Sequence, residues 1–169
     1  MTFQVGETVV HPHYGAGVIT EIQERHSLGP RKRYYSIELL GDARTTVMVP
    51  LDKEESVGLR QPISKARLSR LWRILRGDPE ALPDEHKERY AVIESKLEEG
   101  DVFQIAEAVR DLAWRREEKR KLTKVGGRLY ETGLGFLASE LAGVQGSDVD
   151  TAEAEIAERL EASIGSAVA

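Results

Sequence analysis

Apolar and polar positions alternate with the period of a strand over residues 3–60 and recur with the period of a helix over residues 64–164. The first stretch opens FQVGETVVHPHYGAGVITEI, in which Phe3, Val5, Val9, Val18 and Ile22 are punctuated by Pro12, Gly15 and Gly17. Strands are predicted over Phe3–His11, Gly17–Arg25, Lys32–Leu40, Arg44–Val49 and Val57–Arg60, with turns at Pro12 to Gly15, Leu28-Gly29-Pro30 and Gly41-Asp42. About five strands at this spacing describe a small, strongly bent barrel with edges free for pairing. The run Tyr34 to Leu39 and the run Thr45 to Pro50 form a strand pair of which one face is core and the other is available as an interface.

In the second stretch Ser64 is a candidate N-cap for a helix carrying Leu68, Leu71, Trp72 and Leu75, which Gly77 ends. A second helix is predicted from Pro83 to Gly100 with the stripe Tyr90, Ile93 and Leu97. Asp101 caps a third, whose apolar set is Val102, Ile105, Ala106, Val109, Leu112 and Ala113. Leu122 to Leu141 also reads as helical, but Gly126, Gly127, Gly133 and Gly135 imply either a break or close packing. A last helix starts at Asp150, with Glu153 three residues on and Ile156, Leu160 and Ile164 on one face. The class is therefore α+β with two domains, a barrel over 1–62 and an all-α bundle of about five helices over 63–169.

Charge sharpens this division. Residues 1–60, 61–130 and 131–169 carry net charges of −1, +3 and −7, so a phosphate-bearing partner meets the middle segment and the acidic C-terminal stretch faces away. There is no cysteine, no apolar run of membrane length and no secretory pattern in MTFQVGE, and a cytoplasmic location is expected. No enzyme constellation and no cofactor is expected either. His11 and His13 point to the same side of a strand but lack a third ligand, and Gly15-Ala16-Gly17 precedes a strand rather than opening a helix. The carboxylates are spaced with Lys and Arg as solvated helix faces.

The blocks FQVGETVVHPHYGAGVITEI, VMVP, SVGLR and GDVFQIAEAVRDL, in this order over about 110 residues, resemble the CarD family of bacterial transcription regulators. The resemblance implies a Tudor-like N-terminal module that docks on the β subunit of RNA polymerase. It also implies a helical module that contacts promoter DNA, in the minor groove and at phosphates, to stabilise the open complex. A monomer associated with the nucleoid through polymerase is the expected state. The related interaction module of transcription-repair coupling factor resembles the first half, but a helicase motor does not fit this length.

Carried over by position, Arg25, Met48 and Pro50 fall where similar proteins meet the polymerase, and Tyr35 and Ile37 on the neighbouring strand complete the candidate set. Met48 lies on the opposite face from Val47 and Val49, so either Met48 is at the interface or it is core and the valines are outside. Similar proteins wedge a Trp into the minor groove where this chain has His86, followed by Lys87, Glu88 and Arg89. His86 either faces DNA or caps the stripe of Tyr90, Ile93 and Leu97. A second basic cluster, Arg115, Arg116, Lys119, Arg120, Lys121, Lys124 and Arg128, either steers phosphates or is a solvated helix end. Trp72 and Trp114 read mainly as core. Two functions follow: a regulator that bridges polymerase and promoter DNA, with Lys87, Arg89, Arg115, Arg116, Lys119 and Lys121 as DNA contacts beside His86, or an adaptor that binds polymerase through the barrel without a wedge.

Overall fold

The computed structural model describes residues 3–26 and 28–168. Four strands, β1 (Thr8–His11), β2 (Gly15–Arg25), β3 (Lys32–Leu39) and β4 (Thr46–Pro50), form one antiparallel sheet in the order β1-β2-β3-β4. The strand predicted at Val57–Arg60 is not formed. A short helix α1 (Glu54–Val57) occupies its start, Gly58 turns the chain at φ +85°, and Arg60 makes only an isolated bridge to Val10. That bridge covers the outer edge of β1, so β4 keeps the open edge among the described strands.

Alternation fills the sheet's own core: Val9, Ile19, Tyr35, Ile37 and Val49 lie inside with Phe3 and Leu59. Tyr35 has a reason to be there beyond its ring. Its hydroxyl donates to the Glu54 carboxylate at 2.6 Å and accepts from the Phe3 N–H at 3.3 Å, so the polar tip is satisfied where it is buried.

The helices are α2 (Leu68–Arg76), α3 (His86–Glu98), α4 (Val102–Lys119), α5 (Lys124–Gln145) and α6 (Val149–Val168). Caps set their starts. Asp101 accepts from the Phe103 N–H at 2.7 Å, Thr123 from Gly126 at 3.0 Å and Asp148 from Thr151 at 2.7 Å, the last placing the α6 cap two residues before the predicted Asp150. Ser64 heads a 3-10 turn, Lys65–Arg67, that leads into α2, without a side-chain capping bond. α3 begins at His86 rather than Pro83, because Glu85 accepts from the Glu88 N–H at 2.9 Å and fixes the first turn there.

α4 is the centre of the bundle and buries Ile105, Ala106, Val109, Leu112 and Ala113. α5 runs through its glycines without a break. At Gly133 a Cβ would lie 2.8 Å from Val109 Cγ2 and 3.2 Å from Leu97 Cδ2, so this glycine lets α5 approach α4 and α3, whereas Gly127 and Gly135 have nothing within 4 Å. Trp72 is buried, with the Arg159 guanidinium 3.8 Å from its ring, and Trp114 is half-buried against the same core.

Candidate functional site

The antiparallel register decides the faces of β3 and β4. Met48 stands opposite Ser36, and Val47 and Val49 stand opposite Ile37 and Tyr35. Val49 is buried and Val47 packs on the sheet core, while Met48 lies outside it, its thioether 3.2 Å from the Ser36 hydroxyl. Met48 is thus not a core residue. The same register corrects two candidates: Tyr35 and Ile37 are 0% exposed and sit on a central strand, so neither side chain nor backbone is open to a partner. Pro50 is half-buried, and Arg25, at the far end of β2, is exposed with its Nε 3.3 Å from Gln23 Oε1. Beside the free edge of β4 a groove of about 360 Å³ is lined by Tyr14, Met48, Pro50 and His11. Tyr14 projects into solvent, and its ring is 4.8 Å from that of His11. His11 itself is buried, and its Nδ1 accepts from the His13 N–H at 3.1 Å. Burial, and then the neighbouring His13, hold its pKa below the usual histidine value.

The remaining candidates converge where α3 begins, α4 ends and α5 begins. Tyr90, one turn into α3, is hydrogen-bonded through its hydroxyl to Thr123, the N-cap of α5. That bond, with the Arg89 and Arg115 charges adding to it, holds the Tyr90 phenol below its usual pKa. His86 is the first residue of α3, with its side chain 62% exposed and its ring 6.1 Å from that of Tyr90, so it is not part of the apolar stripe; Ile93 and Leu97 are buried without it. Lys87, Arg116, Lys119 and Lys121 are exposed, and Arg115 is half-buried. Arg116 lies with its guanidinium 4.7 Å from the Tyr130 ring.

Arg89 is a further correction. It is 4% exposed and donates to the backbone carbonyls of Pro83 and Asp84 at 3.2 and 2.8 Å, so it ties down the turn before α3 instead of facing a ligand. The start of α3 is also not simply positive. Glu85 sits 3.2 Å from His86, and the N–H groups of Glu88 and Lys87, then the His86 and Arg89 charges, hold its carboxyl below the usual range. The positive charge of this end comes from α4 and α5. Two helix N-termini meet there with the basic end of α4, an arrangement that suits anions.

The sheet and the bundle are held in fixed relation at the other end of α4 and α5. Arg60 clamps Glu140 of α5 through two bonds of 2.8 Å and donates to the Gly100 carbonyl at 2.9 Å, while Glu140 also accepts from the Ile63 N–H at 2.9 Å. The turn between β1 and β2 sits directly on α5. The Ala16 N–H donates to Ser139 Oγ at 3.1 Å, and a Cβ on Gly15 would lie 2.7 Å from that oxygen. Neither Arg60 nor Glu140 stands out in the sequence, since they are 80 residues apart and of ordinary type. Among the described residues no three His, Cys, Asp or Glu side chains are grouped to hold a metal, and no helix is long and apolar enough to cross a membrane.

Residues 3–63 match the CarD-like/TRCF RID domain, and residues 70–157 match the CarD C-terminal domain. The chain is also 32% identical over 145 residues to YdeB of Bacillus subtilis (strain 168), named as a candidate transcription factor, with 85% of this chain and 93% of that protein covered. Matched along both halves in the same order as a full-length relative, the chain belongs to the CarD-like family of transcription factors.

Proposed function

We propose that this protein regulates transcription by bridging the β subunit of RNA polymerase and promoter DNA, docking through the outer edge of β4 and touching the duplex with the end of the bundle where α3, α4 and α5 meet. The observation that carries the reading is that convergence: Lys119, Lys121 and Arg115 stand beside the N-termini of α3 and α5, with His86 exposed at the same place. Such an end offers cations to phosphates. On the other module, an unpaired strand edge with an outward methionine suits strand addition by a partner sheet, with the groove at Tyr14 and Met48 taking a side chain. Because Arg60 and Glu140 join the two modules, a polymerase bound at β4 would present the basic end at a set position. We further read 1–62 and 63–169 as two domains, each with its own core.

One observation favours the adaptor alternative. The acidic Asp84, Glu85 and Glu88 surround His86, and imidazole is a poorer wedge than indole. The two readings separate in a recruitment experiment with purified polymerase and a promoter fragment. Under the bridging account, Met48→Asp abolishes binding to the β subunit, whereas Lys119→Ala with Lys121→Ala leaves recruitment intact and removes crosslinking to upstream DNA. Recruitment with no DNA crosslink in the wild-type protein would establish the adaptor.

A further inference from the structure

A second acid-free basic stretch, separate from the one at the α4–α5 junction, lies away from the surface just described. Residues 56–77 contain six basic side chains and no acidic one. Arg60 is used by Glu140, which leaves Lys65, Arg67, Arg70, Arg73 and Arg76, all exposed and none within 4.0 Å of a carboxylate among the described residues. Like charges three and four apart on a helix repel, so this row is destabilising for the isolated protein. The arginines are nevertheless held in place. The guanidinium groups of Arg67 and Arg70 lie 4.7 and 4.1 Å from the Phe103 ring, and Arg76 Nε donates to the Trp72 carbonyl at 3.3 Å.

The spacing of the row fits a polyanion. Arg67, Arg70, Arg73 and Arg76 recur every three residues over about 13.5 Å of axis, each about 60° round the helix from the last, so that neighbouring arginines share a face while Arg67 and Arg76 stand half a turn apart. Along one strand of a duplex, phosphates recur about every 3.4 Å of axis, so two or three neighbouring arginines on their long side chains reach two or three of them. An acidic protein surface fits less well. Between Lys65 and Arg76 the exposed residues other than the cations are only Ala66 and Ser69, and none of the large exposed apolar side chains lies here. Protein interfaces centre on aromatic and apolar anchors, whereas nucleic-acid interfaces are polar and strongly positive.

We propose that Lys65, Arg67, Arg70, Arg73 and Arg76 form a ridge that tracks the phosphate backbone of a DNA duplex, a second contact separate from the α3, α4 and α5 end. α2 lies along the first half of α4, with Arg110 donating to the Ile74 carbonyl at 3.3 Å and Phe103 under Arg67 and Arg70. The basic end described above is toward the other end of α4, whose Lys119 lies about 24 Å along the axis from Phe103, under Arg67 and Arg70, and about 13.5 Å from Arg110, beside Ile74. The ridge deepens the reading that DNA is the partner of this module, and it can fail without that reading failing.

The test is the salt dependence of binding of the full chain to a short fluorescent duplex. Each phosphate contributes about −0.9 to the slope of log affinity against log salt, so Arg70→Ala with Arg73→Ala makes the slope shallower by about 1.8. Arg73→Glu alone, which leaves the Phe103 ring covered, makes it shallower by about 0.9 or more, and serves if the double variant does not fold. A slope unchanged in these variants but lowered by Lys119→Ala with Lys121→Ala overturns the ridge and keeps the DNA reading. No binding by the wild-type chain overturns both. Loss of polyglutamate binding in the variants, with the duplex slope unchanged, overturns the proposal in favour of an acidic protein partner.

Discussion

Arg60→Ala isolates the contact on which the relation between the two modules depends. Glu140 has 3% of its side chain exposed, so removal of the guanidinium leaves a buried carboxylate with the Ile63 N–H as its remaining bond. Breaking a buried pair by deleting one partner costs about 3–5 kcal/mol. Arg60 is 33% exposed, so part of the pair's strength is already screened by water, which places the cost at the lower end, about 3 kcal/mol. With a urea slope of about 2 kcal/mol/M, the unfolding midpoint falls by about 1.5 M. Glu140→Gln, which keeps shape and most hydrogen bonds, costs less. Urea unfolding followed by tryptophan fluorescence measures both, since Trp72 and Trp114 report on the bundle. A midpoint drop in Arg60→Ala below about 0.5 M refutes the reasoning, because it would mean that Glu140 is compensated without Arg60.

Three further outcomes follow from the geometry. Under the bridging account, Met48→Asp leaves the thermal midpoint within a few degrees of wild type while abolishing binding to the polymerase β subunit in a pull-down; a mutant that no longer melts cooperatively would show Met48 to be structural. On α5, Gly133→Val destabilises by about 1–3 kcal/mol by overpacking against Val109, whereas Gly127→Ala and Gly135→Ala each stabilise by up to about 1 kcal/mol, all read by chemical denaturation. The lowered pKa of His11 means that the unfolded chain binds its proton first as pH falls, so stability from neutral His11 is present above about 6.5 and is lost below it. His11→Gln should flatten the stability profile as pH falls below about 6.5, and an unchanged profile in urea titrations at each pH contradicts it.

Much of the helical half was legible because its signals are local. Asp101 with the period of Val102 to Ala113 located α4, and Gly77 ended α2. What stayed hidden depended on distant partners. The sequence around Val57 alternates like a strand, but the left-handed Gly58 lets it close a short helix and drop Leu59 into the sheet core. The glycines of α5 left a break and close packing both open, since only the approach of Val109 and Leu97 distinguishes them. Tyr35 and Ile37 went to the wrong face for want of register: once Ser36 is opposite Met48, their neighbours must point inward. Arg89 was readable from helical period alone, because Ile93 four residues on already marks that face as buried. The acid-free run at 56–77 was also present in the sequence, but charge summed over the longer segment 61–130 diluted it.

The central claim is that polymerase and promoter DNA are held by one molecule. The most direct test is the lifetime of a promoter open complex formed with cognate RNA polymerase and challenged with competitor, with and without this protein. The bridging account predicts a longer lifetime, lost on Met48→Asp through failed recruitment and reduced by Lys119→Ala with Lys121→Ala despite normal recruitment. An unchanged lifetime with polymerase binding confirmed would contradict it.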